Sequence, residues 1–285
     1  MDAQLCLNGT DSIAVSPPMS VFWELAAGPD HLARGPVLGT DECRAVIDDL
    51  ARFGVCGVEI GGGEPTARAD FWDLADHVRG QGIALAFDTD GTRLTPAMAR
   101  RLAGDHRLTA RVRLAAPTET DDDAVRGRGA FRASLRAMEL LASTGDYEFE
   151  VSVPLTRHSA DRLDALLAVA GLFGARLRLT GDRLPEVAPD ASQRRALADW
   201  LKRHRDEVTL GIHPTGDLAE YCGGGADICL IDASGAVFAC PMARRAPVGT
   251  VRDEGGFIGI WRHSRSLDRT RVTGCPAAPA VARPA

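Results

Sequence analysis

A short apolar strand followed by an amphipathic helix recurs six times between about residues 20 and 206, and no other feature constrains the fold as strongly. The strand-like runs are 21–25, 55–60, 83–87, 108–114, 147–153 and 175–180. Between them lie patterns of helical period. In the first, 40–53, Cys43, Val46, Ile47, Leu50 and Ala51 share one face; in the second, 69–79, Phe71, Leu74, Ala75 and Val78 do. Thr95 and Pro96 read as N-cap and first position of a helix ending near Leu102. Further helices are expected over 130–142 and 159–173, and Asp190 with Gln193 offers a capping box for one running to about His204. Strands that alternate with helices pair in parallel and are covered by those helices. The class is therefore α/β. The periodicity allows either an open doubly wound sheet or an incomplete barrel.

Past Glu207 the pattern breaks at Gly211, Gly216 and 223–225. A hairpin-like pair, 228–231 and 236–239, then surrounds a turn at 232–235. After Arg271 the chain is rich in Ala and Pro, which predicts a disordered tail. The expected organisation is an N-terminal extension (1–19), a strand–helix core (20–206), a cysteine-bearing appendage (207–275) and a tail (276–285). With 285 residues, 45% of them apolar, the chain is long enough for such a core. A net charge of -6 with interspersed signs argues against nucleic-acid partners. No apolar run approaches 18 residues and no basic-then-apolar leader is present, so the expectation is a cytoplasmic protein without a membrane span.

The seven cysteines are odd in number and badly spaced for a disulfide framework. Cys6, Cys43 and Cys56 are scattered, whereas Cys222, Cys229, Cys240 and Cys275 cluster late and invite a metal reading. The strongest local signal is Gly61-Gly62-Gly63-Glu64-Pro65-Thr66, directly after a strand. Glycines there let a backbone approach a ligand and turn its polar groups toward it. Parallel α/β folds place their ligands at that end of the strands. A plain glycine-rich turn with a solvated Glu is the alternative. The spacing matches neither a P-loop nor a dinucleotide fingerprint.

With these residues the chain resembles the radical S-adenosylmethionine peptide-maturase family with a C-terminal SPASM module, and within it the mycofactocin maturases. The stretch from Val58 to Thr66 followed by Asp70-Phe71-Trp72 carries the resemblance. So do Asp123-Ala124-Val125-Arg126-Gly127, Thr156-Arg157-His158, and Cys229-Leu230-Ile231-Asp232 leading to Ala239-Cys240-Pro241. The resemblance runs over about 20–265. It implies a partial (β/α)6 TIM-like barrel of the radical SAM type with a small SPASM-like appendage. It also implies S-adenosylmethionine at Gly61, Gly62, Gly63, Glu64 and Pro65, and a [4Fe-4S] cluster held by a Cys-x3-Cys-x2-Cys loop after the first strand. The implied chemistry is radical modification of a small precursor peptide, by oxidative decarboxylation and crosslinking of a C-terminal Val-Tyr, with a small peptide-binding accessory protein.

Three departures qualify that picture. The segment from Ala26 to Val37 contains no cysteine, although thiolates are the ligands such clusters need. Asp30 and His31 cannot replace three of them. The fourth strand reads Arg113-Leu114-Ala115-Ala116 where relatives carry Ser-Leu-Asp-Gly, and the third ends Asp88-Thr89-Asp90-Gly91 in place of Thr-Asn-Gly. In the appendage, Cys222, Cys229 and Cys240, with Gly235 ahead of the last, match early ligands of an auxiliary cluster. Cys275 is the fourth thiol for one [4Fe-4S] cluster or a zinc ion. The alternative is that these cysteines pack as small hydrophobes or remain free thiols.

Arg157 and Arg178, at or near strand ends, are candidates for holding a peptide carboxylate, with a solvated or internally paired arginine as the ordinary alternative. His213 is a candidate non-cysteine ligand, or a surface histidine. Phe71 and Trp72 read as helix-to-sheet packing, and Asp121 to Asp123 as an exposed acidic turn. The expectation is a degenerate family member with no catalytic residues of its own, serving as a binding or accessory protein in a ribosomally made peptide pathway. An iron-sulfur peptide-modifying enzyme and a decaying gene product stay open as alternatives.

Overall fold

The computed structural model describes residues 16–26, 35–181, 187–211, 224–242, 244, 246–264 and 267. Most of the 26–37 connection, the expected ligands Cys222, Cys275 and His213, and the Ala/Pro-rich tail lie outside the described residues. By compactness the chain divides into two units, 1–85 with 223–285, and 86–222.

In the first unit β1 (Ser20–Ala26) pairs in parallel with β2 (Gly57–Gly62), Phe22 lying opposite Glu59 and Glu24 opposite Gly61. On its other side β1 pairs in parallel with β8 (Ile228–Ile231), Val21 opposite Cys229. β8 turns back into antiparallel β9 (Ala236–Phe238), which pairs with β10 (Gly249–Thr250). The order is thus β10-β9-β8-β1-β2. The helices α1 (Thr40–Phe53), α2 (Phe71–Gly80) and α8 (Gly256–His263) bury Cys43, Val46, Ile47, Leu50, Phe71, Leu74, Val78, Phe257 and Trp261. α1 is the helix expected over 40–53. It ends where Gly54, at φ 93°, takes the left-handed conformation and its N–H closes on the Leu50 carbonyl. The Asp49 carboxylate accepts from Phe257 N at 3.1 Å, so α1 caps the start of α8.

The second unit contains β4 (Leu108–Arg113), β5 (Glu150–Leu155), β6 (Arg176–Gly181) and β7 (Val208–Leu210), paired in parallel in that order. The boundary between the units falls inside β3 (Ala84–Thr89). Its helices are α3 (Pro96–Ala103), α4 (Glu119–Arg126), α5 (Ala130–Ala142), α6 (Leu163–Leu172) and α7 (Ala191–His204). Thr95 caps α3, and Asp190 with Gln193 forms the expected box on α7. Leu108, Ala110, Val112, Val151, Val153, Leu177 and Leu179 make one apolar sheet face, each almost fully buried. The other face carries Thr109, Arg111, Arg113, Glu150, Ser152 and Arg178.

Two sequence expectations change. The acidic turn at 121–123 is part of α4. Thr118 caps it by accepting from Asp121 N, and Asp122 is wholly buried as the acceptor for Ala115 N at 2.7 Å and Ala116 N at 3.3 Å. The strand expected from 147 begins at Glu150, because the Tyr147 hydroxyl instead bonds the β4 backbone, accepting from Ala110 N and donating to Leu108 O, each at 2.8 Å. No helix among the described residues is long and apolar enough to cross a membrane.

Candidate functional site

The glycine turn leaves the C-terminal end of β2, as the sequence predicts. The chain itself accounts for the glycines at 61 and 62. The ring of Phe22, on β1, lies where a side chain at 61 would begin. Its far side packs on Leu230, Ala236 and Phe238. At Gly62, φ 90°, a Cβ would sit 2.7 Å from the Ala26 carbonyl and 3.1 Å from Glu24 Cβ. Gly63 N donates to Ala26 O at 3.0 Å. The Glu64 carboxylate folds back on its own turn, accepting from Thr66 N at 3.1 Å and Thr66 Oγ1 at 2.5 Å, and Pro65 opens a short 3-10 turn over 65–67. An aromatic ring laid across a strand glycine restores the packing that glycine lacks.

Beside that turn, Glu24 is 3% exposed at the end of β1. Arg244 grips it with both terminal nitrogens, Nη1 at 2.9 Å from Oε2 and Nη2 closing on Oε1. The planar fork matches a carboxylate edge.

Two more arginines hold the far end of the β1–α1 connection. Arg68 Nη1 donates to Leu25 O and to Leu38 O, each at 3.2 Å, and so joins the two ends of the segment. Its Nε and Nη2 hold Asp70 at 2.9 and 2.8 Å, and Thr40 Oγ1 donates to the same carboxylate at 2.7 Å. Arg252 binds Glu42 through Nε at 2.6 Å, Ser234 O through Nη1 at 2.5 Å and Pro36 O through Nη2 at 3.3 Å. Leu38 N reaches Ala233 O at 2.8 Å. The Arg68 hydrogen bonds pull Asp70 down to a pKa of about 2.

A carboxylate whose folded pKa lies below its unfolded value contributes stability above the unfolded value, and that contribution is lost as pH falls through the folded one. Urea unfolding of the wild type is therefore expected to weaken between about pH 4 and pH 2, where Asp70 protonates. Asp70→Asn is expected to be less stable at pH 6 and flatter through that window. An unchanged pH profile would remove the clamp from the account.

The donor set does not fit a [4Fe-4S] cluster at the end of β1. Ala26 to Val37 supplies no thiol. Cys43, in α1, has its Sγ 3.8 Å from Leu38 O and 3.9 Å from Arg68 Nη2, and burial raises its pKa to about 11. A thiol held protonated is a poor iron ligand. At the glycine wall, Phe22 covers the side-chain position of Gly61.

The two late cysteines among the described residues, Cys229 and Cys240, are equally enclosed. Cys229 is fully buried in the middle of β8, where burial pushes its thiol far above the ordinary range. Cys240 is fully buried, its Sγ accepting from Met242 N at 3.4 Å. Gly235 sits at φ 87° with Val251 Cγ2 2.7 Å from its missing Cβ, which is a packing reason for glycine there. Asp232 Oδ1 closes the turn, accepting from Ser234 N at 2.9 Å and Ala236 N at 3.0 Å. Among the described residues no group of three or more His, Cys, Asp or Glu side chains is arranged to hold a metal ion.

In the second unit the two candidate arginines have different settings. Arg157 is exposed after β5, its N–H bonded to Val187 O at 2.6 Å and its Nε to Ala188 O at 3.4 Å. Arg178 is 9% exposed within β6, with Nη1 3.7 Å from Glu150 Oε2. Glu150 also accepts from Arg111 Nε at 2.8 Å and Thr209 Oγ1 at 2.7 Å. The motif residue Arg126 is bound inside its own unit, Nη1 reaching Asp122 Oδ2 at 3.1 Å and Ser134 Oγ at 2.9 Å. Sequence reasoning missed Phe22, Glu24, Arg68, Arg244, Asp122 and the Arg111–Glu150 pair. Only the last left a trace, as polar residues two apart on otherwise apolar strands.

Comparison with known proteins places these features. Residues 29–159 match the model of the Radical SAM superfamily. The chain is 38% identical to the mycofactocin maturase MftC of Mycolicibacterium smegmatis, over 82% of this chain and 65% of the relative. It is also 38% identical to the MftC of Mycobacterium ulcerans, over 80% of this chain and 67% of the relative. It thus spans about two thirds of the length of these relatives. The crystal structure of Streptococcus suis SuiB bound to its precursor peptide SuiA superposes with a TM-score of 0.71 over 90% of this chain and 68% of that one. At 13% identity that likeness shows the fold alone, the α/β partial-barrel class that the family resemblance implied. By its identity to the mycofactocin maturases, the chain belongs to the radical SAM/SPASM family.

Proposed function

We propose that the chain is a non-catalytic member of that family, binding a small precursor peptide or the peptide-binding accessory protein of a ribosomally made peptide pathway, in the cytoplasm. The observation that carries this reading is the state of the β1–β2 end. The connection after β1 has no thiolate to hold iron, Phe22 covers Gly61, and the Glu24–Arg244 pair fills the space beside Gly62. Similarity to maturases and the likeness to SuiB, which is bound to its precursor peptide, support a peptide as the partner.

The rival reading is an S-adenosylmethionine-dependent peptide-modifying enzyme, with the cofactor at Gly61 to Pro65 and one auxiliary cluster on Cys222, Cys229, Cys240 and Cys275. Retention of both motifs favours it. Four thiolates suffice for one [4Fe-4S] cluster, whose ligands must be deprotonated.

Anaerobic purification and reconstitution with iron and sulfide separates the two. The expected result is no cleavage of S-adenosylmethionine and no change in the electron paramagnetic resonance spectrum when it is added. Four irons per chain lost in Cys229→Ala would establish an auxiliary cluster without catalysis. A cofactor-sensitive signal with release of 5′-deoxyadenosine would overturn the non-catalytic reading.

A further inference from the structure

We propose that the polar face of β4, β5 and β6 is a carboxylate site, in which Arg113 and Arg178 flank Ser152 and hold the C-terminal carboxylate of a peptide. This rests on the peptide-binding reading and names where the peptide's end is held.

The argument begins with register. Arg113 pairs with Ser152, and Ser152 pairs with Arg178, so the three form one row across adjacent parallel strands. Side chains alternate along a strand. The intervening Val112, Val151, Leu177 and Leu179 are buried on the helix-covered face, which puts Arg113, Ser152 and Arg178 together on the other. Neighbouring strands are about 4.8 Å apart, so the two arginine backbones stand roughly 10 Å apart with a hydroxyl midway. Two guanidinium groups on flexible stems can converge over such a centre.

The next row sets the charge. Glu150 lies between Arg111 and Arg176 in register, and its two oxygens take Arg111 Nε and Thr209 Oγ1. Four arginines, Arg111, Arg113, Arg176 and Arg178, therefore share this face of β4 to β6 with the single carboxylate of Glu150, and Arg111, Ser152 and Arg178 are each buried. A buried guanidinium is costly unless its donors are met. It carries five of them in a planar fork, so one that already holds a partner within the chain can take a second acceptor. The nearby Glu150 charge favours a singly charged carboxylate over a phosphate dianion, which it would repel more strongly.

The test is calorimetric titration of the full chain with N-acetyl-Ala-Ala, its C-terminal carboxamide, acetate and inorganic phosphate. The dipeptide with a free carboxylate is expected to bind at least about tenfold more tightly than the carboxamide. Arg113→Gln should abolish that preference, and Ser152→Ala, a smaller change that keeps both charges, should reduce it severalfold. Unfolding midpoints of both variants show that they remain folded. Equal binding of the two dipeptides in wild type and variants would overturn the carboxylate site while leaving the peptide reading intact. Arg113-dependent binding of acetate with no binding of the dipeptide would support the site and sink the peptide reading. Phosphate binding more tightly than either carboxylate would overturn the charge assignment.

Discussion

Asp122→Ala is expected to destabilise the chain by about 3–5 kcal/mol, the range for removing one partner of a buried ion pair. Asp122 is completely buried. Its Oδ1 accepts from the backbone N–H groups of Ala115 and Ala116, which follow β4, and both its oxygens face Arg126 Nη1. Removing it strands two buried donors and leaves Arg126, whose charged form burial already disfavours, without its counter-charge. These losses overlap and do not add. Asp122→Asn keeps an acceptor of the same shape for Ala115 and Ala116 while removing the charge, so it should lose clearly less. Urea unfolding of the two variants checks the order. A loss below about 1 kcal/mol for the alanine variant would show that the loop after β4 is held by other contacts.

Arg244→Ala is expected to cost about 3 kcal/mol at neutral pH, and more than Glu24→Ala. The asymmetry follows from burial. Glu24 is almost fully enclosed, whereas the Arg244 side chain is 22% exposed and can turn toward water when its partner is gone. Loss of Arg244 should raise the folded-state pKa of Glu24 above its unfolded value. The Arg244→Ala defect should therefore be largest above that raised pKa and shrink as pH falls through it and Glu24 takes up a proton. Unfolding measured from pH 7 down to pH 4, with the double variant completing the cycle, isolates the pair. A defect that stays constant over this range would mean that Arg244 acts through packing alone. A real pair would show that Arg244, close in sequence to Cys240, fastens the C-terminal segment to the end of β1.

Both results bear on how the end of β1 is held in this chain. The family resemblance implies a cluster held by the segment after the first strand. Here its flanks are tied by Arg68 to Leu25 and Leu38, by Arg252 to Pro36, and by Ala233 to Leu38. Charge-assisted hydrogen bonds to backbone carbonyls can organise a chain reversal without a metal. The buried state of Cys229 also has its own packing cause, since β8 is hydrogen-bonded between β1 and β9.

The strand–helix repeat was legible because its signals are local. α1 and α5 fall where apolar period and capping residues put them, and the caps at Thr95 and Asp190 are made by the side chains that predicted them. Family membership was legible for the same reason, as Gly61 to Thr66 and Asp123 to Gly127 are contiguous motifs. α4 was missed because Thr118 and the following acids read equally well as a turn. What decided for a helix was a buried acceptor needed at 122 by Ala115 and Ala116.

The partners that define the candidate site were invisible to any local reading. Arg244 reaches Glu24 across 220 positions, and Arg252 reaches Glu42 across 210. Cys229 reads as a metal ligand from spacing, and only the structure shows that it is buried in the middle of a strand, where desolvation pushes its thiol pKa up. By itself the sequence determined the α/β class, the helices of the strand–helix repeat, the family and the absence of thiolates between β1 and α1, because periodicity, capping and composition act over a few residues. The tertiary structure alone decided that Phe22 covers Gly61, that Glu24 is paired and that Arg113, Ser152 and Arg178 share one row. Those outcomes depend on strand register and burial, which arise only when distant segments meet.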